Sequence, residues 1–200
     1  MRAKLACVSL IIIILLAMPC SCQLGGILSN IFEKTITNKI SEIDKNLQDT
    51  SNAVKLGRQG LENAALATKY YDTENYDIAL IYIDKAIQCY QMIDPSLDFS
   101  LEMATVHWLK GRILTKLNRN DEAVMNYDTS LNIYPNIARV WLDKGISLSL
   151  LFRFDDSIRC FDSAIELDPQ NATYYTEYKN YAIQTRYEYE KIKLRTATPP

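Results

Sequence analysis

Glycine, proline and histidine are scarce in this chain of 200 residues, which contains six glycines, six prolines and one histidine. Leu, Ile, Ala, Lys, Glu and Tyr dominate instead, and their order lacks the apolar–polar alternation of strands. The composition therefore predicts a helical body with almost no sheet. The length is sufficient for one domain with a sizeable core.

Blocks of one charge are also missing. The chain has 22 basic and 24 acidic residues, a formal net charge of −2, and the two signs are interleaved along the sequence. Nucleic-acid binding needs a basic stripe, and an acidic tail needs a run of carboxylates. Neither is present, so we expect no nucleic-acid partner.

The residue sets that support catalysis or metal binding are missing from the body of the chain. The single histidine, His107, has no second histidine or CxxC pair at ligand spacing. Cys89 and Cys160 have no neighbouring base in sequence, and no glycine-rich phosphate loop occurs. These absences predict a protein that is not an enzyme and has no cofactor and no metal.

The N-terminal segment, residues 1–22, differs in character from the rest. Two basic residues precede the apolar run LACVSLIIIILLAM, which is the layout of an export signal. Cys22 follows two small residues and resembles the lipidated cysteine of lipoproteins. Three fates remain open: lipidation at Cys22, cleavage without a lipid, and retention as a helix of about the minimum length that spans a membrane. Each predicts an exported protein, anchored to the cell membrane or extracytoplasmic.

A repeat of thirty-four residues organises the middle of the chain. Each copy has a helix with a small residue in mid-course, a short polar turn, a second helix with small and aromatic residues, and a proline. Such a hairpin cannot bury its apolar face alone, so the copies must stack. The paired positions are Gly111 with Gly145, Leu114 with Leu148, Ala123 with Ser157, Tyr127 with Phe161, Ser130 with Ala164, and Pro135 with Pro169.

The repeat pattern divides a domain at 59–193 into three copies and a terminal helix. The copies span about 60–93, 104–137 and 138–171, and the first is separated from the second by ten extra residues around 92–103. Residues 172–193 begin as a fourth first helix with tyrosines in the large positions, which predicts a capping helix. Residues 194–200 are predicted to be a tail.

The repeated units resemble the tetratricopeptide repeat (TPR) family. The residues that carry the resemblance in the last copy are Trp141, Gly145, Phe154, Ser157, Phe161, Ala164 and Pro169. The resemblance implies an all-α fold, a right-handed superhelical α-solenoid of helical hairpins with a C-terminal capping helix. It also implies a function, the binding of another protein or peptide segment in the concave groove.

By the same resemblance, residues of the first helices line this groove. Trp108 beside Arg112 and Lys116 is the strongest candidate for a hot spot, because an aromatic residue flanked by cations suits a peptide with apolar and acidic side chains. The alternative is that Trp108 covers a neighbouring helix. The TPRs that grip a terminal carboxylate use Lys and Asn at positions that here hold Ala64 and Thr68, so that grip is absent. The groove candidates are Tyr71, Trp108, Arg112, Lys116, Arg139, Leu142 and Ile146.

Residues 23–58 have apolar residues at alternating spacings of four and three, which predicts an amphipathic helix at about 30–56. Two alternatives follow: the apolar stripe docks on the first repeat, or it pairs with a second copy near the membrane. The stripe contains Ile36, Ile40, Ile43, Leu47, Val54 and Leu61.

The acidic stretch FDDSIRCFDSAIELDP, residues 154–169, raises the question of a metal or catalytic site. Its repeat position instead places Asp155 and Asp156 at the start of a second helix, where carboxylates suit the free amides. Asp162 follows Arg159 by three residues and is predicted to pair with it. The stretch is therefore predicted to be structural.

Together these patterns predict a non-enzymatic interaction scaffold, exported and membrane-tethered, that binds a partner segment in its concave groove. The alternative is a self-associating structural envelope protein whose N-terminal helix forms a homo-oligomer.

Overall fold

The computed structural model describes the backbone of residues 23–197 and the side chains of residues 37, 38 and 41–195. The predicted export segment with Cys22, and the last three residues of the tail, lie outside this range. Within it there are seven α-helices, one short 3-10 helix at Pro169–Asn171 and no strand. The helices are α1 Gln23–Asp72, α2 Tyr76–Gln91, α3 Ser100–Lys116, α4 Asn120–Ile133, α5 Ala138–Leu150, α6 Phe154–Leu167 and α7 Ala172–Ala197.

The helices from α2 onwards pack as consecutive neighbours along the chain. α3 pairs with α4 and α5 with α6 as hairpins, α4 contacts α5 between them, and α7 lies against α6. This arrangement confirms the predicted all-α solenoid with a long terminal helix.

Glycines bring the two helices of each later hairpin together. A Cβ added at Gly111 would stand 2.5 Å from the Tyr127 ring, and one at Gly145 would stand 2.6 Å from the Phe161 ring. Both rings are almost fully buried. The hydroxyl of Ser157 also donates a 2.8 Å hydrogen bond to the carbonyl of Gly145. The predicted close approach at these small residues is confirmed.

The three hairpin turns share one backbone conformation. Glu74, Asn118 and Phe152 have φ values of 60°, 58° and 59°, although none is a glycine. Their separations of 44 and 34 residues equal the offsets between the repeats in the sequence. The ten extra residues of the first interval therefore lie in the α2–α3 region and leave the turns unchanged.

The N-terminal helix differs from the prediction because α1 continues without a break from Gln23 to Asp72. No helix boundary occurs near residue 58, and the first helix of the first repeat is the C-terminal part of α1. The chain divides between Thr50 and Ser51 into two compact units. In the first unit, residues 41–50 are exposed throughout.

In the second unit, α1 packs on the first repeat with its small residues. A Cβ at Gly57 would meet Phe99 at 3.0 Å, and one at Gly60 would meet Tyr90 at 2.8 Å. Val54 and Leu61 are 58% and 64% exposed. The expectation that these apolar residues dock on the first repeat is therefore wrong, because the close helix approach uses the neighbouring glycine face.

The acidic stretch of residues 154–169 has structural contacts. Asp155 and Asp156 lie in the first turn of α6, as predicted. Asp162 accepts a 2.6 Å hydrogen bond from Lys179 of α7, whereas Arg159 pairs with Asp156. The predicted Arg159–Asp162 pair is wrong because α7, which supplies the lysine, lies beside Asp162.

The described residues contain neither a candidate membrane span nor a cluster of metal ligands. None of the helices described within residues 23–197 has the length and apolar character that a membrane span requires. Within the same part of the chain, no three or more His, Cys, Asp or Glu side chains cluster as metal ligands would.

Candidate functional site

A pocket of about 500 Å³ opens between the first helices of the three repeats. α3 and α5 provide most of its wall, and one side chain each comes from α1 and α4. The lining residues are Tyr71, Arg112, Thr115, Lys116, Asn118, Tyr127, Arg139, Asp143, Ile146 and Leu150.

Helical periodicity explains why these residues share one surface. Arg139, Asp143, Ile146 and Leu150 are separated by four, three and four residues, and therefore lie on one face of α5. The N-terminal half of this face is charged and the C-terminal half is apolar.

Arg112 is fixed by two aromatic rings. Its guanidinium carbon lies 4.7 Å from the centroid of the Tyr71 ring and 5.3 Å from that of Trp108. Its Nη2 donates a long, 3.4 Å hydrogen bond to the Tyr71 hydroxyl. Ring faces attract a guanidinium that lies over them, so the cation is held in place before any ligand arrives.

Trp108 is half-buried and connects α3 to α5. Its indole Nε1 donates a 2.7 Å hydrogen bond to Asp143 Oδ2, and its ring packs against the core cluster that contains Leu114 and Val140. Trp108 is not among the lining residues, so it covers a neighbouring helix and positions Arg112 from outside the pocket.

Asp143 is a nearly buried carboxylate at the centre of the site, with 8% of its surface exposed. Arg139 Nε lies 3.5 Å from its Oδ1 and Arg112 Nε lies 3.9 Å from its Oδ2. Burial raises the pKa of Asp143, and the hydrogen bond from Trp108 and the two arginines only partly oppose this effect. The charge is therefore tolerated because it is surrounded by donors.

Hydroxyl groups form one side of the pocket. Thr115 Oγ1 donates to the carbonyl of Gly111 at 3.0 Å, and lies 3.1 Å from the Tyr127 hydroxyl and 2.8 Å from Ser147 Oγ. Either oxygen can be the donor in the contacts of Thr115 with Tyr127 and with Ser147. Burial holds the pKa of Tyr127 well above its usual range. These hydroxyls are neutral, and none is paired with a base.

The structure brings together five of the seven groove candidates, namely Tyr71, Arg112, Lys116, Arg139 and Ile146. Leu142 is fully buried in the core with Phe161, because one residue along a helix turns the side chain by about 100° away from its neighbour's face.

Asp143 lies in the pocket although it is not among the groove residues predicted from the sequence. The thirty-four-residue offset places it opposite Leu109, which is buried to the same extent. The signal in the sequence was a carboxylate at the repeat position where the preceding copy has an apolar core residue.

His107 and the two described cysteines, Cys89 and Cys160, lie apart from this pocket. His107 Nδ1 is 3.1 Å from Asn126 Oδ1, and burial lowers its pKa. Cys89 and Cys160 are buried free thiols, and burial raises the pKa of Cys160 to about 11. Thiols that stay protonated are poor nucleophiles.

The family model of the tetratricopeptide repeat matches residues 104–137 and 138–171. These bounds coincide with the second and third predicted copies, so the match supports the predicted repeats over both stretches. No curated protein matches the chain.

Solved TPR structures share the fold at low sequence identity. The TPR2B domain of yeast Sti1, in a complex with pHsp70, is 16% identical with a TM-score of 0.57, over 64% of this chain and 99% of that domain. A TPR-like protein from Chlorobium tepidum is 15% identical with a TM-score of 0.57, over 70% of this chain and 99% of that protein. The second TPR domain of human RPAP3, in complex with the HSP70 peptide SGPTIEEVD, is 11% identical with a TM-score of 0.55, over 64% of this chain and 97% of that domain.

Proposed function

We propose that this chain is a non-enzymatic scaffold that holds a segment of another protein in the groove lined by α3, α5 and residues 51–72 of α1. The observation that carries the proposal is the pocket in which Arg112 is fixed between Tyr71 and Trp108. The TPR domains of yeast Sti1 and human RPAP3, which have similar folds, were solved in complexes with pHsp70 and with an HSP70 peptide, respectively.

The pocket has the properties of a binding site for a peptide. Arginine and aromatic side chains contribute most to binding at protein interfaces, and an immobilised arginine loses little further entropy when a ligand is bound. The hydroxyls of the pocket lack the base that a nucleophile needs, and the buried thiols lie outside it. Recognition without covalent chemistry is the function that this set of groups supports best.

Site-directed photo-crosslinking tests the groove. A photoreactive residue replaces Lys116 at the pocket or, as the control, Met125, which is 68% exposed on α4. In the cells that produce the protein, a partner should be captured from position 116 and not from position 125, and Arg112→Ala should abolish the capture. The same partners from both positions, unaffected by Arg112→Ala, would contradict the proposal.

The proposal includes export and membrane tethering, which are supported by the apolar run in residues 1–22 and by Cys22. Cell fractionation tests this part. Deletion of residues 2–22 should release the protein from membranes, and Cys22→Ser separates the alternatives, since it abolishes a lipid anchor and leaves a retained helix intact. A full-length protein found in the cytosol would overturn this part of the proposal.

Self-association is the second candidate function, and exposed apolar residues favour it. Ile43 and Leu47, which lie in the part of α1 that belongs to the first unit, are 53% and 52% exposed. Four-residue spacing places both on one face of the helix. Sedimentation of the full chain in density-matched detergent should give a dimer that Leu47→Glu dissociates and Gln48→Glu leaves intact. A monomer at every concentration would exclude this function.

A further inference from the structure

The pocket has more positive than negative charge. Arg112, Lys116 and Arg139 face one carboxylate, that of Asp143, which leaves a surplus of two positive charges. Lys116 is exposed and forms no ion pair or side-chain hydrogen bond among the described residues. A ligand group with negative charge is therefore favoured at this place.

The guanidinium groups keep unused donors. Arg112 Nε lies 3.9 Å from the nearer Asp143 oxygen, beyond hydrogen-bond distance. Arg139 is half-exposed, and its Nε stands 3.5 Å from the other oxygen. Planar guanidinium forks match a carboxylate in geometry, and the rings of Tyr71 and Trp108 fix one fork in advance.

Asp143 limits how deep an anion can enter. Its carboxylate is almost buried on the α5 side of the pocket and is held by Trp108. A second carboxylate close to it would be repelled, so a ligand carboxylate must stay near the outer edges of Arg112, Arg139 and Lys116. Asp143 is a positioning residue, since it holds the two arginines on either side of itself.

The apolar half of the pocket adds a second requirement. Ile146 is half-buried and Leu150 is 51% exposed, and both follow Asp143 on the same face of α5. The helix rises about 10 Å from Asp143 to Leu150 and about 16 Å from Arg139 to Leu150. An extended peptide covers these distances in about three to five residues.

A chain-terminal carboxylate has no dedicated partner here. The positions that the TPR resemblance assigns to such a grip hold Ala64 and Thr68, and the Thr68 hydroxyl already donates to the carbonyl of Ala64 at 3.0 Å. A side-chain carboxylate within the partner segment needs no such grip, because the arginine forks match it in geometry.

We infer that the pocket binds an internal Asp or Glu side chain of an extended partner segment, with an apolar side chain about three to five residues away. The carboxylate binds Arg112 together with Arg139 or Lys116, and the apolar side chain packs on Ile146 and Leu150. This inference rests on the proposed function and names the chemistry of its partner.

Selection from a random peptide library tests the inference. The peptides are displayed through their C-termini, so that no terminal carboxylate is free, and the bait is the full chain in detergent micelles. Selected peptides are then synthesised with amidated and with free C-termini, and their dissociation constants are measured by fluorescence anisotropy. We expect them to carry an acidic and an apolar residue at the stated spacing and to bind equally well in both forms.

Variants locate the two contacts. Replacing the peptide acid by its amide should weaken binding at least about tenfold, as expected for a lost charge-assisted hydrogen-bonded pair. Arg112→Gln should weaken binding and remove most of the difference in affinity between the acid and amide peptides. Leu150→Ser should likewise weaken binding and remove most of the affinity that the peptide's apolar side chain contributes. Arg159→Gln, a charge change on the exposed face of α6, is the control and should have no effect.

The outcomes separate the inference from the proposed function. Selected peptides that need Leu150 but no acid, or that bind only with a free C-terminus, would overturn the inference and leave peptide binding in the groove intact. A library from which nothing is enriched, or peptides insensitive to all pocket variants, would contradict the proposed function itself.

Discussion

Asp143 has a different environment from its counterpart in the preceding repeat. Leu109 occupies the equivalent position in α3 and is buried among apolar side chains. Asp143 has the same low exposure but meets Trp108, Arg112 and Arg139. The buried carboxylate of the pocket therefore lies where the preceding repeat has an apolar core residue.

The raised pKa of Asp143 predicts a pH dependence of stability. The folded protein binds this proton more tightly than the unfolded chain does, so protonation favours the fold. Burial raises the pKa of both Tyr127 and Asp143 in this pocket, and of the two only Asp143 titrates in the acidic range. As the pH falls from neutral through the raised pKa towards the ordinary aspartate range, the wild type should gain stability relative to Asp143→Asn.

Urea unfolding of both proteins at about pH 7 and about pH 4 measures this gain. The carbonyl oxygen of Asn can still accept the hydrogen bond from Trp108, so the comparison isolates the charge. Parallel changes in the two free energies of unfolding would show that Asp143 does not titrate differently in the folded protein.

Gly145 illustrates how one missing side chain sets a helix separation. In Gly145→Ala, the new Cβ would stand 2.6 Å from the Phe161 ring, which is 1% exposed and has no room to move. Overpacking costs about 1–3 kcal/mol, and the better helix propensity of alanine returns about 1 kcal/mol. We expect the free energy of unfolding to fall by up to about 2 kcal/mol.

A double-mutant cycle with Phe161→Leu checks the cause. The smaller side chain should make Gly145→Ala nearly neutral in that background. An equal loss in both backgrounds would mean that the contact with the ring is not responsible.

At the scale of the helix, α7 completes the core of the last hairpin. Tyr175 is 5% exposed and its hydroxyl donates a 2.9 Å hydrogen bond to Asp168, while Tyr181 on the same helix is 70% exposed. Tyr175→Ala should lower the free energy of unfolding by about 3 kcal/mol, whereas Tyr181→Ala should change it by less than about 0.5 kcal/mol. Chemical denaturation measures both, and equal effects would show that α7 does not act as a cap.

The hairpins could be predicted because the residues that contact each other recur as pairs in the sequence. Gly111 with Tyr127 and Gly145 with Phe161 recur at one offset, and the structure places each pair in contact. The continuity of α1 could not be inferred in this way. The repeat begins near residue 60, but a repeat unit need not begin where a helix begins, and no proline interrupts the hydrogen bonds there.

The candidate site could be predicted only in part. The TPR resemblance assigns positions to the groove wall, and so it found Arg112, Lys116 and Arg139. It assigned Leu142 to the groove, but Leu142 precedes the groove residue Asp143 by one position, and the helical rotation between them directs the Leu142 side chain into the core. The link from Trp108 to Asp143 depends on the spacing of two helices, which the sequence does not state.

At the scale of the whole molecule, the two units should differ in local stability. Residues 41–50 belong to the first unit and have no buried side chain, whereas α3 and α5 contain core residues of the second unit. A helix without tertiary packing is marginal in water. Amide hydrogens of residues 41–50 should therefore exchange at least about a hundredfold faster than those in the middle of α3.

Mass-spectrometric hydrogen exchange on the full chain measures the two rates. Equal protection at low protein concentration would contradict the expected difference. Protection of residues 41–50 that rises with concentration would instead favour self-association through this helix.

The side chains around the pocket are attached to successive hairpins, and this has a mechanical consequence. Arg112 is carried by α3, Arg139 by α5 and Tyr71 by α1, so the twist between neighbouring hairpins sets the distances among them. Each repeat contacts only its neighbours, which makes that twist the soft coordinate of a solenoid. A ligand that bridges the two arginines would stiffen the stack of hairpins. By thermodynamic reciprocity, tension that straightens the stack would lower the affinity for that ligand.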